Sequence, residues 1–318
     1  MKTILIVLGS LLIAFIVLPF IFIPSEIFIS NSKAVFVNRN GFKNCLHDIR
    51  KWKQWWPGRE PGKIPSSPGD SLFSYNGLTC KISKLVSDGV EIQLQQNNMD
   101  LLSKVLIIPK SGDSILVQWN TGFLSVNNPY SRLKNYFAAR EIQKNMQPVF
   151  DSLCRFAEKI ENVYDFPIIR TTFTDTILTT HILITKDYPS TEEIYNAIDG
   201  IKKYIASQHA EEKDQPMLNT KRLDNLHYQT MIAISIDKKI PDSKEYTLVR
   251  MISMRDKFLT AEVTGGQHTI QNAHTAIEKY MDDYKLTPPA RPFEILVTDR
   301  RKEADTSKWK TQVFHPCM

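Results

Sequence analysis

The order strand, helix, strand, strand occurs twice in the second half of the chain, and this repeat constrains the fold more than any other feature. In the first copy, residues 176–185 alternate as a strand does. Ser190 and Glu193 form an S-x-x-E capping box, and Ile194, Ala197, Ile198, Ile201, Tyr204 and Ile205 follow at helical spacing. Residues 216–223 and 227–236 then read as strands. In the second copy, residues 258–263 make a strand and Gly265–Gly266 a turn. Ile270, Ala273, Ala276, Ile277, Tyr280, Met281 and Tyr284 line one helix face, and residues 293–298 and 310–314 are strands. An extra apolar strand over 246–254 bridges the copies. A repeat of this kind predicts two modules packed about a pseudo-twofold axis, with a cleft between them.

The first half has a different order. Residues 34–37 are a short apolar run, and Phe42, Cys45, Leu46 and Ile49 recur at helical spacing. The segment RKWKQWWPGRE then places Trp52, Trp55 and Trp56 within five residues. A proline-rich stretch over 58–69 reads as a loop. Candidate strands follow at 71–75, 78–86, 90–95, 101–108, 114–119 and 123–126, joined by short polar breaks, as in an antiparallel meander. Residues 131–146 look helical, and Pro148 is expected to open a second helix, where its missing N–H does no harm.

Ahead of both halves, residues 4–23 form an uncharged apolar run, ILIVLGSLLIAFIVLPFIFI. At about 1.5 Å per residue this length matches a bilayer core of about 30 Å. The expectation is an uncleaved membrane anchor with the rest of the chain outside the cytoplasm; a cleaved signal peptide is the rival reading. Formal net charge is +6 over 318 residues, too small a bias to point to nucleic acid, and no helix-turn-helix pattern precedes the repeat. Cys45, Cys80, Cys154 and Cys317 form no C-x-x-C pair and read as isolated buried thiols, with a disulfide open if the chain is exported.

Both halves resemble known families. The pattern HDIRKWKQWWPG after the first strand, with PVFDSLCRFAEKIE as a terminal helix, resembles the SRPBCC superfamily, the START-like or polyketide-cyclase-like helix-grip fold. The segment VFVNRNGF departs from that family's usual step after its first strand. The ordered set VTGGQHTIQNAHTAIEKYM, PFEILVTD and ADTSKWKTQVFHPC resembles the GyrI-like effector-binding domain of bacterial drug-responsive regulators. The resemblances imply an α+β chain in three parts. Residues 1–25 would be a transmembrane anchor, 26–163 a helix-grip domain, and 164–318 a GyrI-like domain of two strand-helix-strand-strand modules.

Candidate site residues follow from these readings. Glu294 in PFEIL shares a strand face with Leu296, opposite Phe293 and Ile295. The GyrI-like resemblance turns that face into the cleft, where a buried glutamate pairs with a cationic aromatic ligand; a solvated glutamate on an edge strand is the alternative. Trp309 would help wall the cleft. Trp55 and Trp56, with Trp52, would cover the core or rim a cavity of the helix-grip domain, with Lys51 and Lys53 pointing outward. The expected role is non-catalytic binding of a small hydrophobic or amphipathic ligand, with no cofactor, metal or nucleic acid. The alternative is a hydrolase of a small lipophilic electrophile using Glu294 as general base. Gly58–Lys63 is one residue short of a P-loop. His268 and His274 lie on different sides of one helix and cannot share a metal. The basic run Arg300–Lys302 reads as a solvated loop.

Overall fold

The computed structural model describes residues 2–318 apart from 59–71, 111–112, 126–127, 175 and 252–253. The chain divides into two compact units, Met1–Val163 and Tyr164–Met318. Its first helix, α1 (Lys2–Phe22), has 21 residues with Pro19 inside. Among the described residues no helix is long and apolar enough to cross a membrane, so the span expected over 4–23 is not shown. Several side chains of α1 fall outside the described set.

The N-terminal unit is an antiparallel sheet with helices. After β1 (Glu26–Val35) come α2 (Arg39–His47) and α3 (Ile49–Trp55). Then β2 (Leu72–Tyr75), β3 (Leu78–Val86), β4 (Gly89–Gln96), β5 (Met99–Pro109) and β6 (Ile115–Leu124) run as a meander in the order β1-β6-β5-β4-β3-β2. Two hairpins turn on pairs of left-handed residues, Asn76–Gly77 and Asn97–Asn98, whose twist matches that of the flanking strands. The expected break between residues 119 and 123 is absent. Ile115–Leu124 stays in one ladder with β1, which holds Asn120 and Gly122 extended. Most of the loop expected over 58–69 lies outside the described residues.

One helix, α4 (Pro129–Ala157), replaces the two expected around Pro148. Met146, Val149, Phe150 and Leu153 are all buried on either side of the proline. Packing there outweighs the one backbone hydrogen bond that proline removes. The three tryptophans are core. Trp52 is 1% exposed, its ring 4.9 Å from Trp55 and 5.4 Å from Phe73. Its indole N–H donates to the Leu46 carbonyl at 2.7 Å, and that of Trp56 donates to the Ser74 carbonyl. Lys51 does not point outward. It is buried, and its ammonium donates to the Asn162 and Val163 carbonyls at the end of α5 (Ile160–Tyr164). All four cysteines are buried thiols. Burial pushes the Cys80 and Cys154 thiols up to about 12.

The C-terminal unit holds the repeat. Its first module is β8 (Thr176–Thr185), α6 (Thr191–Ser207), β9 (Met217–Arg222) and β10 (Tyr228–Ile236); its second is β12 (Met254–Thr264), α7 (Gln267–Asp283), β13 (Phe293–Leu296) and β14 (Lys310–Pro316). Ser190 caps α6 through a reciprocal capping box with Glu193. Gly265 begins the turn into α7 at φ +144, a conformation L side chains rarely adopt, and a Cβ there would sit 2.6 Å from Thr269 Oγ1. The sheet order is β11-β8-β10-β9-β13-β14-β12-β7, in which β11 (Thr247–Met251) and β7 (Ile169–Phe173) are the edges. The order is symmetric about the β9–β13 pair, as a pseudo-twofold requires.

The sheet curls. In a flat sheet β7 would lie about 14 Å from β13, three strands away. The Phe173 ring of β7 is instead 5.4 Å from the Phe293 ring of β13. From the other edge, Met251 packs on the same central cluster of Leu178, Met217 and Ala233. The face away from the helices is therefore concave.

Candidate functional site

Helix α6 packs over β8 and β10, and α7 over β12 and β14. The short central strands β9 and β13 are left between them, and a cavity of about 490 Å³ opens there. Strand register sets its floor. Glu294 pairs with Leu218, Thr220 pairs with Thr230, and Arg222 with Tyr228, so these side chains share the helix-bearing face. Helix α7 supplies the wall through Gln267, Gln271, His274 and Glu278, spaced as one stripe. Tyr188, from the loop ahead of α6, and Tyr228 complete it, their rings 5.9 Å apart and edge to face.

Glu294 is 5% exposed and lines this cavity. Its Oε1 lies 3.4 Å from His274 Nε2. Its Oε2 is buried without a hydrogen-bond partner, and the nearest cation, the Arg300 guanidinium, stands 3.9 Å away. The carboxylate expected to be unpaired thus has two basic neighbours, one of them too distant to donate a hydrogen bond. Arg300 was expected in a solvated loop but is 7% exposed. Its Nη2 donates to Thr311 Oγ1 at 3.0 Å, and its backbone N–H donates to the Tyr195 hydroxyl. Burial, then the negative charge of Glu294, pushes the Tyr188 phenol up to about 12, although Tyr188 as a whole is 38% exposed.

A second buried base stands behind His274. His274 Nδ1 lies 2.8 Å from His315 Nε2, and His315 is 3% exposed. His274 thus faces Glu294 through Nε2 and His315 through Nδ1. Burial, reinforced by His274, pushes His315 down to about 3. The unfolded chain takes up this proton near the ordinary value of 6.5, whereas the fold excludes it. The stability so contributed is complete above about pH 6.5 and is lost as pH falls toward 3, at up to about 1.4 kcal/mol per pH unit. His315→Gln should therefore remove on the order of 1–2 kcal/mol of the destabilisation seen between pH 7 and pH 5 in urea unfolding. Equal pH slopes in both proteins would contradict a neutral buried His315.

The other expected site residues lie elsewhere. Trp309 does not line the cavity. Its ring is 4.8 Å from the Arg300 guanidinium, and its N–H donates to the Glu303 carbonyl, so it supports the cation beside Glu294. Trp55 and Trp56 are buried in the N-terminal unit and line no described cavity. Sequence reading missed Tyr188, Tyr228, His315 and Arg300, and set His274 aside. Only His274 left a usable sign, its seven-residue spacing from Gln267. Among the described residues no group of side chains could hold a metal ion.

No family model matches the chain, and no curated protein does. Solved structures of similar shape exist at low identity. The crystal structure of the EcmrR C-terminal domain is 11% identical with a TM-score of 0.42, covering 48% of this chain and 98% of that one. A hydrolase from Listeria innocua is 13% identical with a TM-score of 0.37, covering 48% and 91%. SAV2435 bound to tetraphenylphosphonium is 13% identical with a TM-score of 0.31, covering 48% and 93%.

Proposed function

We propose that this chain binds a small lipophilic cation in the crease between α6 and α7, without turnover. The observation that carries the reading is the Glu294 carboxylate, buried at the floor of an aromatic-walled cavity with Oε2 lacking a hydrogen bond. A carboxylate so placed gains from a cation that arrives with its own apolar surface, and the faces of Tyr188 and Tyr228 attract the same charge. On this reading the C-terminal unit is a GyrI-like effector-binding domain. Tetraphenylphosphonium, the molecule bound to SAV2435, is the probe of choice. Calorimetric titration should show it binding more tightly than tetraphenylborate, which has the same shape and the opposite charge. Equal affinities, or preference for the anion, would remove the basis for the proposal.

Hydrolysis is the second reading, favoured by the His274–Glu294 contact. It requires turnover of a reactive aromatic substrate that Glu294→Gln abolishes.

The N-terminal unit is read as a START-like helix-grip domain. Its strand order, the two short helices after β1 and the long terminal helix α4 support this. The apolar run over 4–23 supports a membrane anchor, and we propose that both units lie outside the cytoplasm. Alkaline extraction of membranes should leave the chain in the pellet, and deletion of residues 2–23 should release it. Release of the intact chain by alkali would end the anchor proposal.

A further inference from the structure

The opening turns of α4 carry an outward face that the core does not use. From Pro129 to Arg140 the sequence is PYSRLKNYFAAR, which holds Arg132, Lys134 and Arg140, the rings of Tyr130, Tyr136 and Phe137, and no carboxylate. The buried stripe of this helix begins with Arg132 and Ala139 and continues through Ile142 and Met146. On the opposite side, at helical spacing, stand Tyr130, Lys134 and Phe137. Tyr130 is 66% exposed and Phe137 62%, with Lys134 exposed between them. Aromatic rings flanking a lysine are the side chains that settle where hydrocarbon gives way to lipid headgroups.

Position in the fold names the partner. Helix α4 packs against α1, and the Arg132 guanidinium lies 4.9 Å from the centre of the Phe20 ring. Phe20 is three residues short of Ile23, where the apolar run over 4–23 ends, or about 4.5 Å along the helix axis. A bilayer that takes up this run as an anchor therefore ends level with the start of α4. Arg132 is 7% exposed, its Nε has no hydrogen-bond partner, and no carboxylate pairs with it among the described residues. A guanidinium at that level gains from the phosphate of a lipid headgroup.

We propose that the opening turns of α4 lie in the headgroup layer of the bilayer that α1 enters. Tyr130 and Phe137 would rest at the edge of the acyl chains, and Arg132 and Lys134 on lipid phosphates. The inference rests on the anchor reading and goes beyond it: the N-terminal unit is seated on the membrane surface rather than held away on a tether.

The test is spin labelling of the full chain in vesicles of phosphatidylcholine and phosphatidylglycerol. Depth is read from collisions of the nitroxide with oxygen and with a neutral nickel chelate. The native cysteines are buried, so an added surface thiol is the one that reacts. Tyr130→Cys and Phe137→Cys, made singly, probe the stripe, and Phe15→Cys probes the anchor. Arg155→Cys, about 35 Å further along α4 from Arg132, serves as the aqueous reference with the same label. All four positions are exposed, so each variant should fold. The oxygen-to-nickel collision ratio at Tyr130→Cys and at Phe137→Cys should exceed that at Arg155→Cys about threefold or more. Ratios equal to the reference, with Phe15→Cys deep in the bilayer, would overturn the proposal and leave the anchor standing. A Phe15→Cys label in water would remove the anchor and the proposal with it.

Discussion

Glu294→Gln is expected to weaken tetraphenylphosphonium binding by about 10- to 100-fold, or about 1.4–2.7 kcal/mol. The substitution keeps the shape of the side chain and removes its charge. In a cavity where the carboxylate is 5% exposed, loss of a full charge facing a cation exceeds the effect of a surface pair. Arg300, 3.9 Å from Oε2, sets the upper bound, because it already offsets part of that charge. The variant also leaves the buried Arg300 without its carboxylate, so some loss of stability is expected. Triphenylphosphine oxide, an uncharged aryl ligand, separates the two effects. Its affinity should change less than about threefold if the cavity persists, whereas a parallel loss for both ligands would mean that the pocket, not the charge, was damaged.

Trp52→Ala is expected to destabilise the N-terminal unit by about 3–5 kcal/mol. Trp52 is 1% exposed and packs on Trp55, Trp56 and Phe73, and its N–H satisfies the Leu46 carbonyl at the end of α2. Removing it opens a cavity and orphans that carbonyl together. Domains of this size are stable by about 5–15 kcal/mol, so the unit should approach its unfolding threshold. Lys53→Ala, on the half-exposed side of α3, should shift stability by no more than about 0.5 kcal/mol. Urea unfolding of both variants decides the matter; a Trp52→Ala loss below about 1.5 kcal/mol would show the aromatic cluster to be a loose rim rather than core.

These two residues mark how far the sequence could be read. Period-2 alternation around Glu294 gave its face correctly, because the side chains of a strand alternate whatever lies above them. The helical stripes of α6 and α7 and the Ser190–Glu193 cap were legible for the same local reason. What escaped depends on partners distant in sequence. His274 and His315 are 41 residues apart and meet only when β14 is laid beside β12 under α7. Arg300 follows a strand end and looks like a surface loop until Thr311 and Glu294 enclose it. Lys51 sits just ahead of Trp52 on a short helix and is buried because the Asn162 and Val163 carbonyls at the end of α5 take its ammonium. Strand β7, marked only by Ile169 and Phe173 at its two ends, owes its pairing to β12 rather than to its own pattern. The two tyrosines of the cavity come from a loop and a strand start, positions with no periodicity to betray them.

The central claim is that a cation enters the crease and rests against Glu294. Tetraphenylarsonium carries the same shape and charge with an atom that X-ray diffraction can locate by anomalous scattering. A crystal of the chain grown with it should show an arsenic peak within about 6 Å of the Tyr188 or Tyr228 ring, over the Glu294 carboxylate. An arsenic peak elsewhere on the protein with the crease unoccupied, or no peak at saturating concentration, would contradict it.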